Sequence, residues 1–201
     1  MTALADAGSS FDGGLYTRIA DLARQAPAPL DSVVSAWSTY GLALFGVLLL
    51  MAWWRARRED APRAAQALAA PLVVIAAFTA DSAIKSLVRE QRPCQTLHTL
   101  TLEACPALGD WSLPSNHAAV AAAAAVALLL TDRRLGGVAV PAAVLMAASR
   151  VWVGAHYPHD VLLGLLVGAV VALPLMVAAR RAAALVDRLR ASRLRPLVAS
   201  R

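Results

Sequence analysis

Residues 161–179 read VLLGLLVGAVVALPLMVAA, nineteen consecutive positions without a charge, bounded by Asp160 before and Arg180-Arg181 after. A helix needs about 20 mostly apolar residues to cross the hydrocarbon of a bilayer, so this stretch reads as a spanning helix rather than as the core of a soluble domain. Four other apolar stretches precede it: 33–54, 64–88, 116–131 and 135–152. The run at 116–131 is short, and its alanines 121–125 favour helix while contributing little hydrophobicity; that helix is expected to start inside the interface. The fold expected is all-α, a polytopic membrane helix bundle with five transmembrane helices and an N-terminal interfacial amphipathic helix.

Composition supports this class. Of 201 residues, 59% are hydrophobic and 16% charged, outside the usual soluble range. The net charge of +6 raises the question of nucleic acid, but the basic residues fall between long apolar runs, as membrane-flanking residues do. Nucleic acid is therefore excluded as a partner. Arginine outnumbers lysine 18 to 1, which fits a GC-rich bacterial genome and hence a bacterial plasma membrane. One domain is expected over 1–201, comprising an interfacial segment at 1–32, the bundle at 33–179 and a cationic tail at 180–201. Neither an internal repeat nor a cleavable signal peptide is visible.

The arginines orient the chain. Arg55, Arg57, Arg58 and Arg63 separate the first two spans, Arg133 and Arg134 the third and fourth, and seven more follow the fifth. By the positive-inside rule these segments and the C-terminus are cytoplasmic. The N-terminus and the loops 89–115 and 153–160 then lie outside. Phe11, Leu15, Ile19 and Leu22 recur at helical spacing before the first span, the pattern of a helix lying in the interface. Segment 180–195 reads as a cationic helix on anionic lipid. Cys94 and Cys105 share the first outer loop, where oxidation to a disulfide is permitted.

Three polar segments converge on the outer face. Lys85 to Pro93 (KSLVREQRP) ends the second span, Pro114-Ser115-Asn116-His117 opens the third, and Ser149-Arg150 with His156-Tyr157-Pro158-His159-Asp160 joins the fourth to the fifth. Lys85, Arg92 and Arg150 put three positive charges at the bilayer edge, where unpaired charge is costly. An anion would offset that cost, and guanidinium forks match phosphate oxygens. Ser115 stands where an N-cap belongs, with Asn116 and His117 in the first turn, and a free helix N-terminus also suits phosphate. Asp160 is placed to hold one imidazole nitrogen of His156 and leave the other as a nucleophile, with His117 as general acid. Asp81 is one turn before Lys85 and could orient it. His98 and His159 read as interfacial. A metal centre built from His117, His156, His159 and Asp160 is the chemical rival, opposed by the adjacent cations, and no cofactor is expected.

The three segments resemble those of the type-2 phosphatidic acid phosphatase superfamily, the lipid phosphate phosphatases. That family shows Lys, six residues and Arg-Pro; then Pro-Ser-Gly-His; then Ser-Arg, five residues, His, three residues and Asp. Lys85, Arg92 and Pro93, then Pro114, Ser115 and His117, then Ser149, Arg150, His156 and Asp160 match in order. The resemblance implies a metal-independent hydrolase in which His156 becomes phosphorylated, Asp160 orients it and His117 is the acid. Lys85, Arg92, Arg150 and the Ser115-Asn116 region would bind phosphate. Asn116 departs from the family's glycine, and five spans stand where six are common, the segment 11–25 standing in for the first. The stretch 149–160 looks most like small bacterial enzymes acting on undecaprenyl diphosphate. A phosphatidylglycerophosphate or phosphatidate phosphatase is the second expectation, and a non-catalytic membrane scaffold the third. The partners implied are a lipid phosphate or diphosphate and the membrane lipids; the sequence leaves the oligomeric state open.

Overall fold

A computed structural model describes residues 11–193, and the ends of the expected N-terminal segment and cationic tail, including Arg195 and Arg201, lie outside the described residues. The described chain is helical: α1 (Gly13–Gln25), α2 (Ala28–Tyr40), α3 (Leu42–Ala56), α4 (Ala61–Val88), α5 (Pro93–Thr96), α6 (Asn116–Thr131), α7 (Arg133–Trp152), α8 (Pro158–Arg180) and α9 (Ala183–Arg190).

Helix α6 is the centre of the bundle, with α3, α4, α7 and α8 around it. Its alanines at 118, 119, 121–125 and 127 are buried, and such small side chains let neighbouring backbones approach. Helix α8 uses that closeness. Gly164 and Gly168, four residues apart on one face, leave room where a Cβ would collide with the carbonyls of Ser115 and Ala119. Ala172 and Met176 continue this buried stripe, whereas Leu162, Leu166, Val170 and Leu173 are exposed on the other side. A large exposed apolar belt is what lipid contact requires and what a soluble surface avoids. Pro71, Pro141 and Pro174 lie inside α4, α7 and α8, a residue better tolerated within membrane helices than in soluble ones.

Five unbroken spans are not what the chain forms. Three helical stretches, Ala61–Thr96, Arg133–Trp152 and Pro158–Arg180, are long and apolar enough to cross a membrane. The expected first span is instead the pair α2 and α3, bent by 51°, which makes a fourth if counted as one. The break falls at Gly41, where a Cβ would press on the Trp37 carbonyl and the Met146 side chain. Helix α6 has 16 residues, about 24 Å at 1.5 Å per residue, short of a core roughly 30 Å thick. Because its neighbours sheathe it, its ends need not meet lipid.

Helix α1 forms where amphipathic spacing predicts it, but its contact face differs from the expected stripe. Tyr16, Ala20 and Ala23 are buried, and Tyr16 packs with Ala118, Ala147, Val151, Tyr157 and Val161. Of the expected stripe, Ile19 packs against this cluster and the Phe11 ring, though exposed, lies 5.1 Å from that of His159, while Leu15 and Leu22 are exposed. The helix thus has two apolar faces, one on the bundle and one open to surrounding lipid.

Candidate active site

The ends of α4, α6 and α7 and the loop before α8 enclose a cavity of about 310 Å³, with Lys85, Arg92, Asn116, His117, Arg150 and His156 on its wall. Six of the eight residues expected at the site therefore meet around one space. Asp160 is fully buried beside it, and Ser115 is fully buried off its wall with its Oγ unpaired. Ser115 does hold the N-cap position of α6, but its side chain makes no capping bond; its N–H instead donates to the Asp160 carbonyl at 3.0 Å.

The loop before α8 is shaped by Gly154, whose φ of +86° a side chain would strain. That reversal lets the N–H groups of Ala155 and His156 both donate to the Arg150 carbonyl, at 3.1 and 3.3 Å. His156 is 2% exposed. Its Nδ1 lies 3.3 Å from Asp160 Oδ2, and its Nε2 lies 3.3 Å from an Arg92 NH of the guanidinium. Arginine can only donate, so Nε2 accepts and the proton sits on Nδ1 facing the carboxylate. Burial chiefly pushes the His156 pKa down, to about 3; the Asp160 hydrogen bond opposes this and the Arg92 charge adds to it. The ring is neutral near pH 7, with its lone pair on Nε2. Asp160 Oδ2 also accepts from the Tyr157 N–H at 2.8 Å and from the Ser112 hydroxyl.

Ser112, fully buried, was not singled out by sequence reasoning, since a lone serine in a loop carries no signal until the fold brings it to Asp160. Two loop carboxylates were missed for the same reason. Arg92 donates to Asp110 Oδ1 at 3.0 Å, and Arg150 pairs with Glu103 Oε2 at 3.1 Å while also donating to Ser38 of α2. The Cys94–Cys105 disulfide closes the loop that carries Glu103. The Lys85 and His117 side chains make no hydrogen bond among the described residues and line the cavity. Asp81 and Lys85 share no hydrogen bond, both Asp81 oxygens being buried without a hydrogen-bond partner, although their charges interact.

His159 does not line the cavity. Its Nδ1 meets Asp12 Oδ1 at 2.9 Å and its Nε2 meets Glu90 Oε2 at 3.2 Å, tying α1 and the segment after α4 to the start of α8. Tyr16 braces the same loop through the Gly154 carbonyl at 3.1 Å. The rival metal set is not assembled. Among the described residues, the three-ligand grouping that forms is Glu90, His159 and Asp160, without His117 or His156.

Closely packed apolar helices around a cationic, histidine-bearing cavity define a helical membrane protein with a candidate site for an anion. The model of the PAP2 superfamily matches residues 66–183, more than half of the chain, and the chain belongs to that superfamily. It is 32% identical over 144 residues to undecaprenyl-diphosphatase BcrC of Bacillus subtilis, covering 71% of each chain. It is 35% identical over 132 residues to decaprenylphosphoryl-5-phosphoribose phosphatase of Mycobacterium tuberculosis, covering 65% of each. The solved PAP2-type phosphatidylglycerolphosphate phosphatase of Bacillus subtilis has the same fold, with a TM-score of 0.55 at 18% identity, over 89% of this chain and 91% of that one. The protein is a membrane-embedded phosphoric ester hydrolase.

Proposed function

We propose that this chain hydrolyses a polyprenyl diphosphate of the undecaprenyl type to the monophosphate, through phosphorylation of His156. The observation that carries the mechanism is the imidazole held at Nδ1 by Asp160, with Nε2 beside Arg92 at the cavity wall. In the first step Nε2 attacks the terminal phosphorus, a P–N bond forms, and the bond to the bridging oxygen breaks. The electron pair leaves on the polyprenyl phosphate, whose oxygen His117 can protonate. Lys85, Arg92 and Arg150 stabilise the charge that develops on the transferring phosphoryl group. Water then attacks the phosphorus of phosphohistidine, giving its proton to His117; the P–N bond breaks, its electron pair returns to Nε2, and inorganic phosphate is released. Arg92 and Arg150 pair with Asp110 and Glu103 at the cavity wall, so an arriving phosphate takes the place of those carboxylates on the guanidinium groups. Asn116 offers an amide at the cavity wall where the family's glycine offers none, and Ser115 contributes through the helix start rather than the wall.

The substrate choice draws on the BcrC likeness. The experiment that tests it is phosphate release in detergent from undecaprenyl diphosphate, phosphatidylglycerophosphate and phosphatidate. The highest kcat/KM is expected on the diphosphate; preference for either glycerolipid would replace this reading with the second one.

Metal independence has its own test. Three fixed cations supply the charge that a divalent ion would otherwise bring to the phosphoryl oxygens. Activity is expected to survive exhaustive chelation by EDTA. Loss of activity that one divalent ion restores would favour a metal centre instead.

Orientation is also a proposal. The arginine distribution puts the cavity outside and the C-terminus in the cytoplasm. Cys94 and Cys105 are then expected to react with a membrane-impermeant thiol reagent on intact cells only after reduction. Labelling that requires opened membranes would put the cavity on the inside.

A further inference from the structure

The end of the bundle opposite the catalytic cavity holds a larger one, of about 500 Å³. Helix α4 joins the two: Arg63 and Gln66 line the larger cavity near its start, and Lys85 lines the catalytic one near its end. The nineteen residues from Gln66 to Lys85 rise about 28 Å, so the two spaces are separate.

Its charges do not balance. Arg55 pairs with Asp132 at 3.1 Å, and Arg63 pairs with Glu59 at 2.7 Å. Asp132 is also committed to capping α7, where it accepts from the N–H groups of Arg134 and Leu135. Arg133, Arg134 and Arg180, on the same wall, have no carboxylate partner among the described residues. Three guanidinium groups around one space repel one another, and an anion between them relieves that repulsion. Ala52, Ala56, Leu129 and Leu130 form the apolar part of the wall, and Leu129 and Leu130 are exposed. Arg57 stacks at 3.7 Å on Trp54 at this same end, and such aromatic residues concentrate at the boundary between lipid and water. The cavity is therefore cationic at headgroup depth and apolar toward the hydrocarbon.

We propose that this cavity binds the phosphate headgroup of an anionic phospholipid, with Arg133, Arg134 and Arg180 on the phosphate and Leu129 and Leu130 against the acyl chains. The site is distinct from the catalytic one and does not depend on the substrate reading above.

The test is native mass spectrometry of the full chain in detergent, titrated with phosphatidylglycerol, phosphatidylcholine or inorganic phosphate. The wild type is expected to retain one phosphatidylglycerol in preference to phosphatidylcholine. The triple variant Arg133→Gln, Arg134→Gln, Arg180→Gln should bind it on the order of 100-fold more weakly, since each basic group near a lipid phosphate contributes about a factor of five. The control Arg58→Gln, Arg188→Gln, Arg193→Gln removes equal charge at the same end but off this wall, and should change binding little. Phosphate release from lipid substrate reports the folding of each variant; if the triple variant fails to fold, Arg134→Gln alone should still lose about fivefold. Equal weakening by both triple variants, or equal retention of the two lipids, would overturn the site. Binding of inorganic phosphate without phosphatidylglycerol would overturn the lipid assignment.

Discussion

His156→Asn is expected to lower turnover on every lipid substrate by roughly 10⁴–10⁶-fold, the range seen when a covalent nucleophile is removed. Asparagine is the informative replacement because Asp160 is fully buried and an uncompensated buried carboxylate would destabilise the fold. The carboxylate keeps its bonds from the Tyr157 N–H and the Ser112 hydroxyl, and the asparagine amide can replace the third. The protein should therefore stay monodisperse and helical while it loses chemistry. Rapid denaturation of wild-type enzyme during turnover of terminally labelled substrate should also trap an acid-labile phosphoenzyme that His156→Asn lacks. Near-normal turnover in a well-folded His156→Asn protein would sink the covalent mechanism.

His117→Ala is expected to separate substrates by their leaving groups. A phosphate monoester must expel an alkoxide, whose conjugate acid is about as weak as water, with a pKa near 15.7. A polyprenyl diphosphate expels a phosphate monoester, whose second ionisation has a pKa of about 6. Protonation of the leaving oxygen should therefore matter far more for the monoester. His117 lines the cavity and makes no hydrogen bond to the described residues, so its ring is available to substrate. Monoester hydrolysis should fall by about 10²–10⁴-fold, the usual worth of a general acid, and diphosphate hydrolysis by much less. His156→Asn should affect both alike. Equal losses in His117→Ala would mean that His117 binds phosphate, and its part as acid would be withdrawn.

Much of this was legible in the chain itself because membrane helices satisfy their backbone internally and announce themselves by apolar length. Segments α4, α7 and α8 follow directly from that rule. The expected α6 is also present, but length alone could not say that its 16 residues would be sheathed by four neighbours. The break at Gly41 was not readable, since it depends on Met146 arriving from α7. Nor was the Gly164–Gly168 stripe distinguished from other glycines, although its four-residue spacing was available as a signal.

What the sequence by itself determined was the class of chemistry: three polar segments at the ends of apolar helices carry Lys85, Arg92, His117, Arg150, His156 and Asp160, and helix direction forces those ends toward one face. What only the tertiary structure decided was how those groups are held. The choice of Nε2 over Nδ1 in His156 depends on Arg92 and Asp160 standing on opposite sides of the ring. The partners Ser112, Asp110, Glu103 and Ser38 come from loops or another helix, 18 to 112 residues from the groups they contact. Hydrogen bonds require angstrom-scale placement that no one-dimensional pattern encodes, so these roles became visible only when packing set the distances.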